Sequence, residues 1–299
     1  MNLSFLKSPK NFAALDEDFS SFETSKFVVL PVEYEGTVSY GKGTLRGPGA
    51  IIDASRFLEW YDYEFESEPA RCGVSTLAPL CFSKDTPPEQ VVSEVEKQVS
   101  FLLENKKVPV VLGGEHSVSI GAVRASHAVY AADSLSVLHI DAHADLREEY
   151  EFSHFSHACA LKRIRDCCKN TVSLGVRSLS REEHDLIKKE SLPVFFQKDV
   201  EKEGLESVVE RVISSLSENV YVSLDLDCLD SSVMPAVGTP GPGGLFFSQV
   251  AEVLKAVGQK KRIIAGDVVE LSPIAGFKAP DYLAAKLAYR LMAACSAKF

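Results

Sequence analysis

The chain of 299 residues carries a formal net charge of −10, which argues against nucleic acid as a partner and suits a cationic small molecule. Its 45% hydrophobic and 25% charged content is that of an ordinary soluble globular protein, with enough length for a large core. No apolar run approaches the roughly 18 to 20 residues of a bilayer span, Met1 to Lys10 lacks an apolar signal core, and seven cysteines without paired metal spacing read as reduced thiols of a cytoplasmic protein.

Along the chain, the first buried strand is expected at Phe27 to Val32. The segment Gly41-Lys-Gly43-Thr-Leu-Arg-Gly47 matches neither phosphate-loop spacing and reads as a turn near a substrate entrance. A helix follows over Pro87 to Lys107, with Val91, Val95, Val99 and Leu102 on one stripe. Strands are then predicted at Val108 to Leu112, Leu135 to Ile140, Thr171 to Val176, Val220 to Leu226 and Arg262 to Val269. A helix capped by Ser248 buries Val250, Val253, Leu254 and Val257, and another runs from Pro280 to about Ala294. This alternation predicts an α/β fold, a mostly parallel sheet with helices on both faces and ligands at the carboxyl ends of the strands. No linker divides residues 1–299, so one domain is expected, with residues 1–25 as an N-terminal extension of no assigned structure.

Three strand ends carry metal-ligand chemistry. Asp141-Ala-His143-Ala-Asp145 places three potential ligands at alternate positions, which point to one side on extended backbone. Asp225 and Asp227 repeat that spacing, and two carboxylates side by side at an apolar strand end make sense mainly with a cation between them. Asp230 follows as a turn or cap residue. Gly113-Gly114-Glu115-His116-Ser117 adds a histidine after glycines expected to let the chain turn sharply. Any one of these could be a polar strand end; three together point to a metal centre. Two His and four Asp without thiolate favour Mn²⁺ over structural zinc, and two ions can activate one shared water. His139, one step deeper than Asp141, reads as a satisfied core or supporting histidine.

These motifs, with Gly238-Thr-Pro-x-Pro-Gly-Gly244, Asp267-Val-Val-Glu270 and Arg46-Gly-Pro48, closely resemble the ureohydrolase family of arginases and agmatinases, agmatinases most. The resemblance implies a three-layer α/β/α domain with a mainly parallel eight-stranded sheet, and trimers or hexamers. It also implies two Mn²⁺, one held by His116, Asp141, Asp145 and Asp225 and the other by His143, Asp141, Asp225 and Asp227. Asp145 would also pass a proton from the nucleophile toward the leaving amine, and Glu270 would hold the guanidinium. His157 aligns with the family's proton-shuttling histidine, with His154 as rival. Glu115 departs from the family's usual Asp, and Met234-Pro-Ala-Val from its usual Ala-Pro-Gly-Thr, without removing a ligand. Agmatine cleavage to putrescine and urea is the leading expectation. Alternatives are aminopropylagmatine, guanidinobutyrate, arginine or formiminoglutamate, or a non-catalytic regulatory homologue. The run Arg147-Glu148-Glu149-Tyr150-Glu151 suggests a pocket rim that repels a substrate carboxylate and welcomes a terminal ammonium.

Overall fold

A computed structural model describes residues 3–130 and 134–297. Nine strands form one sheet: β1 (Phe27–Glu33), β2 (Val74–Thr76), β3 (Leu80–Cys81), β4 (Val108–Gly113), β5 (Leu135–Ile140), β6 (Thr171–Val176), β7 (Val194–Phe196), β8 (Asn219–Asp225) and β9 (Arg262–Val269). The order is β2-β1-β4-β9-β8-β5-β6-β7, with β3 also pairing with β1, and the recorded pairs are parallel. The expected eight strands are therefore the continuous path, and the two-residue β3 is a ninth.

The helices are α1 (Glu17–Ser20), α2 (Gly47–Ser55), α3 (Pro88–Glu104), α4 (Ser119–Val129), α5 (Ala160–Cys167), α6 (Arg181–Glu190), α7 (Gln197–Glu203), α8 (Leu205–Ser215), α9 (Phe247–Lys260) and α10 (Ala279–Ser296). They make two layers because the longer strands bury both faces. On β1, Phe27 and Val29 face a core that contains Ile51 of α2, Val212 of α8, Val253 of α9 and Leu287 of α10. Val28 and Leu30 face the opposite core, with Val95 of α3, Ile120 of α4, Ile164 of α5 and Ile187 of α6. The stripe Val91, Val95, Val99 and Leu102 of α3 is buried as expected, each side chain contributing about 1.5 to 3 kcal/mol.

Helix α9 starts one residue earlier than its expected cap. Phe246 donates its N–H to Gln249 Oε1 at 2.9 Å, so Ser248 lies inside the first turn. The N-terminal residues are built into the sheet edge: Leu6 N–H donates to Thr76 O at 2.8 Å, and Phe12 and Leu15 are fully buried. Among the described residues no helix is long and apolar enough to cross a membrane.

The middle of the sheet positions the site. β4, β9, β8 and β5 are consecutive neighbours, and register pairs Ile140 with Leu224 and Asp225 with Val269. Their carboxyl ends therefore lie side by side, about 4.8 Å apart. His116, Glu270, Asp225 and Asp141 all follow or end these four strands.

Candidate metal centre

His116 opens a short 3-10 turn after β4 and is held in one tautomer. Ser223 Oγ donates to Asp267 Oδ1 at 2.9 Å, so His116 Nε2–H must donate to Ser223 Oγ, also at 2.9 Å. In the neutral ring this leaves Nδ1 with a bare lone pair. It faces Asp141 Oδ2 at 3.0 Å, Asp145 Oδ2 at 3.1 Å and Asp225 Oδ2 at 3.2 Å. None of these approaches has hydrogen-bond geometry, and both His116 Nδ1 and Asp141 Oδ2 are buried without a partner. A lone pair aimed among three carboxylate oxygens is a ligand set for a cation.

His143 Nδ1 makes a second focus, 2.9 Å from Asp227 Oδ2 and 3.5 Å from Asp141 Oδ1. Donor atoms of His116, His139, Asp141 and Asp145 form one group able to hold a metal ion, and those of Asp141, His143 and Asp227 form another. Asp141 belongs to both. The same negative field acts on protons. Burial opposes the charge on His116, yet Asp141, Asp145 and Asp225 raise its pKa well above the ordinary value. His143 is likewise pushed up to about 12, by Asp227 and Asp141 against the effect of burial. Burial, with Asp227 and Asp141 beside it, raises Asp225 well above the carboxylate range.

The six sequence-derived ligands converge, but not through the backbone expected. β5 ends at Ile140 and β8 at Asp225; the chain then bends, and Asp227 sits in a 3-10 turn whose N–H donates to Asp225 Oδ1 at 2.7 Å. Asp145 has a left-handed φ of 50° and Glu270 one of 69°, conformations that cost roughly 1 to 2 kcal/mol in non-glycine residues and recur at functional sites. The glycines before His116 are required by close approach rather than by a sharp turn, since neither has positive φ. A Cβ on Gly114 would lie 2.0 Å from Tyr34 O.

Asp230 is a turn residue, accepting from the N–H groups of Ser232 at 2.9 Å and Gly243 at 2.6 Å. His139 stands in the supporting position: its Nδ1 lies 3.3 Å from Ser173 Oγ, its buried Nε2 lies 2.9 Å from Asp141 Oδ2 without hydrogen-bond geometry, and its ring stacks on His116. Glu270 Oε1 accepts His116 N–H at 2.7 Å; burial, then the nearby Glu115, raise its pKa well above normal.

The centre opens into a cavity of about 260 Å³ lined by His116, His143, Asp145, His157, Asp225, Asp227 and Glu270, with Tyr40, Arg147, Tyr150, Glu183 and Thr239 farther along its wall. His157 therefore faces the cavity. His154 does not line it; its Nδ1 lies 2.8 Å from Glu148 O and its Nε2 3.6 Å from Glu149. Glu148, Glu149 and Glu151 do not line it either, which corrects the expected acidic rim. Glu148 instead pairs with Lys162 at 3.1 Å and Arg163 at 2.7 Å, cations that draw it away. The additional acid that lines the cavity is the buried Glu183, which sequence reasoning missed because it lies in a separate helix, α6. Glu183 Oε1 accepts Leu146 N–H at 2.9 Å, and Oε2 lies 3.9 Å from Arg147 Nε.

The sequence model described as the Arginase family matches residues 25–294. The chain belongs to the arginase family. Within this family of ureohydrolases it is 35% identical to an N(1)-aminopropylagmatine ureohydrolase of Synechocystis sp., over 96% of this chain and 94% of the relative. It is 31% identical to an agmatinase of Pyrococcus horikoshii, over 82% and 83%. The solved agmatine ureohydrolase of Thermoplasma volcanium superposes with a TM-score of 0.86 at 33% identity, covering 97% of this chain and 95% of that one.

Proposed function

We propose that the protein uses two Mn²⁺ ions to hydrolyse agmatine, or an N-aminopropyl derivative of it, to urea and the corresponding amine, putrescine in the case of agmatine. The observation that carries this reading is the buried His116 Nδ1, without a hydrogen-bond partner and aimed among Asp141, Asp145 and Asp225, next to a second focus at His143 and Asp227. His116, Asp141, Asp145 and Asp225 would hold one ion, and His143, Asp141, Asp225 and Asp227 the other. When bound, the pair supplies an activated water and offsets the four carboxylates. Asp145 accepts the proton that the water releases on attacking the guanidinium carbon and passes it toward the leaving amine. Glu270 binds the guanidinium group, and His157 carries a proton between cavity and solvent as the C–N bond breaks and the amine leaves protonated.

Relatives named for N(1)-aminopropylagmatine and for agmatine support the substrate class. The lining supports it too, since the carboxyl groups of Asp145, Glu183, Asp225, Asp227 and Glu270 share the cavity wall with Arg147. Arg147 favours a second reading, a substrate with a terminal carboxylate, although Glu183 at 3.9 Å and the Tyr150 ring at 5.1 Å already engage its guanidinium. Specificity constants for N(1)-aminopropylagmatine, agmatine, guanidinobutyrate and arginine with Mn²⁺ decide between them. The first two are expected to lead; preference for a carboxylate substrate overturns the substrate assignment, and no urea from any of them overturns the hydrolase reading. Mn²⁺ should restore stripped protein better than Zn²⁺. One cytoplasmic domain assembling as a trimer or hexamer completes the proposal, and light scattering that gave a 32.7 kDa monomer would refute the assembly.

A further inference from the structure

Beside the proposed ligands lies a second buried polar network. Glu115 is fully buried, and its carboxylate accepts four hydrogen bonds. The N–H groups of Gly36 and Thr37 donate to Oε2 at 2.8 and 2.7 Å, and the hydroxyls of Ser117 and Thr37 donate to Oε1 at 2.6 and 2.7 Å. Through Thr37 this network reaches His157. Thr37 Oγ1 accepts the backbone N–H of His157 at 3.0 Å and lies 3.2 Å from the ring Nδ1.

A hydroxyl has one proton to give. Because Thr37 donates it to Glu115, Oγ1 has only lone pairs to offer His157. For the 3.2 Å contact to be a hydrogen bond, Nδ1 must then carry the proton, which leaves Nε2 of the neutral ring as the bare acceptor. Ser156 Oγ, 3.3 Å from Nδ1, can accept from the same N–H. Tyr150 meets the ring edge to face with centroids 5.8 Å apart, so the imidazole is held on two sides.

We propose that Thr37, anchored by Glu115, is a positioning residue that fixes the tautomer and orientation of His157, leaving Nε2 free to take a proton at the cavity wall. The proposal rests on the reading of His157 as proton carrier. It links the segment after β1 to the chemistry, although no residue of that segment is a proposed ligand or proton carrier.

Thr37→Val removes the hydroxyl with little change of volume. In Mn²⁺-loaded protein, turnover of the preferred guanidinium substrate should fall roughly three- to tenfold, the loss expected for one net hydrogen bond, with KM and metal content unchanged. Thr37→Ser should retain the native rate. Added to His157→Asn, Thr37→Val should cost nothing further, because both changes act through one group. Equal slowing by Thr37→Val in both backgrounds would overturn the positioning role, whereas His157→Asn at the native rate would sink the proton-carrier reading itself. A measurement that does not depend on turnover is ¹⁵N NMR of the ring in diamagnetic Zn²⁺-loaded protein. The native protein and Thr37→Ser should show the Nδ1–H tautomer and Thr37→Val a mixture; an Nε2–H tautomer in the native protein refutes the proposal whatever the kinetics give.

Discussion

Glu270 combines two roles that one substitution separates. Its carboxylate accepts the His116 N–H at 2.7 Å, which holds the chain after β4 against the chain after β9, and it also lines the cavity. Glu270→Gln keeps an acceptor for that N–H but removes the charge proposed to hold a guanidinium. Metal content should persist while kcat/KM falls about ten- to a hundredfold, the value of a hydrogen bond to a charged group; a variant with native kcat/KM would remove Glu270 from substrate binding. The two loop histidines separate as sharply. His157→Asn should slow turnover by roughly 10²- to 10⁴-fold at constant metal content, and His154→Asn, whose ring points to Glu148 and Glu149 outside the cavity, should leave it near native. The opposite ranking would move the proton carrier to His154. The candidate metal ligands were legible in sequence because histidine and aspartate recur at short spacing, whereas the roles of Glu270 and His157 came only from the family resemblance. Glu183 and Thr37 were not legible, because each reaches the site from an element whose own pattern carries no catalytic signal, and only the tertiary fold brings them there.

At the scale of elements, the site is four neighbouring strand ends closed by the loop 235–244, and Arg177, just past β6, ties that loop down. Its guanidinium donates to five backbone carbonyls: Asp227 at 2.9 Å, Gly241 at 3.1 Å, and Cys228, Leu229 and Pro242 at 3.2 Å each. The turn bearing Asp227 is thus fixed to the wall that carries Gly238 and Thr239. Lysine cannot reproduce a planar fork of five donors, so Arg177→Lys should destabilise the fold by about 2 kcal/mol and loosen metal binding. Denaturant unfolding and metal titration check this, and native values for both would show the clamp to be dispensable. The strands around this loop were readable from sequence because both faces of each are buried, which gives uninterrupted apolar runs; β5, β6 and β9 have the predicted bounds. The edge strands β2, β3 and β7 were not, since two or three residues are too few to show a period. Convergence of the Asp-x-His-x-Asp ligands was foreseen for a partly wrong reason. The alternation of a strand was expected to aim them; the strands stop at Ile140 and Asp225, and beyond them one parallel bridge holds His143 beside Ser178 while the N–H groups of His143 and Asp227 donate to Asp141 and Asp225.

For the whole molecule, the ligands are also a problem of stability. Asp141, Asp225 and Asp227 are almost fully buried at the middle of the sheet, between two apolar layers. Buried carboxylates this close repel one another unless compensated, and the raised pKa of Asp225, caused first by burial and then by Asp227 and Asp141, records that repulsion. Cations that bind the folded protein and not the unfolded chain stabilise it by mass action. At free metal one hundred times Kd the gain is about 2.7 kcal/mol per site. A domain of this size shifts its Tm by roughly 2 to 4 °C per kcal/mol, so saturating Mn²⁺ should raise the Tm of chelator-stripped protein by about 5 °C or more. Asp141→Ala, which removes the carboxylate shared by both ligand groups, should abolish most of that shift as well as activity. His157→Asn should keep the shift in full while losing turnover, because His157 is not a proposed ligand. Calorimetric scans of the three proteins with and without Mn²⁺ make the comparison; a native protein whose Tm ignores the metal, or an Asp141→Ala variant that keeps the full shift, would show that the buried cluster is not where the ions bind.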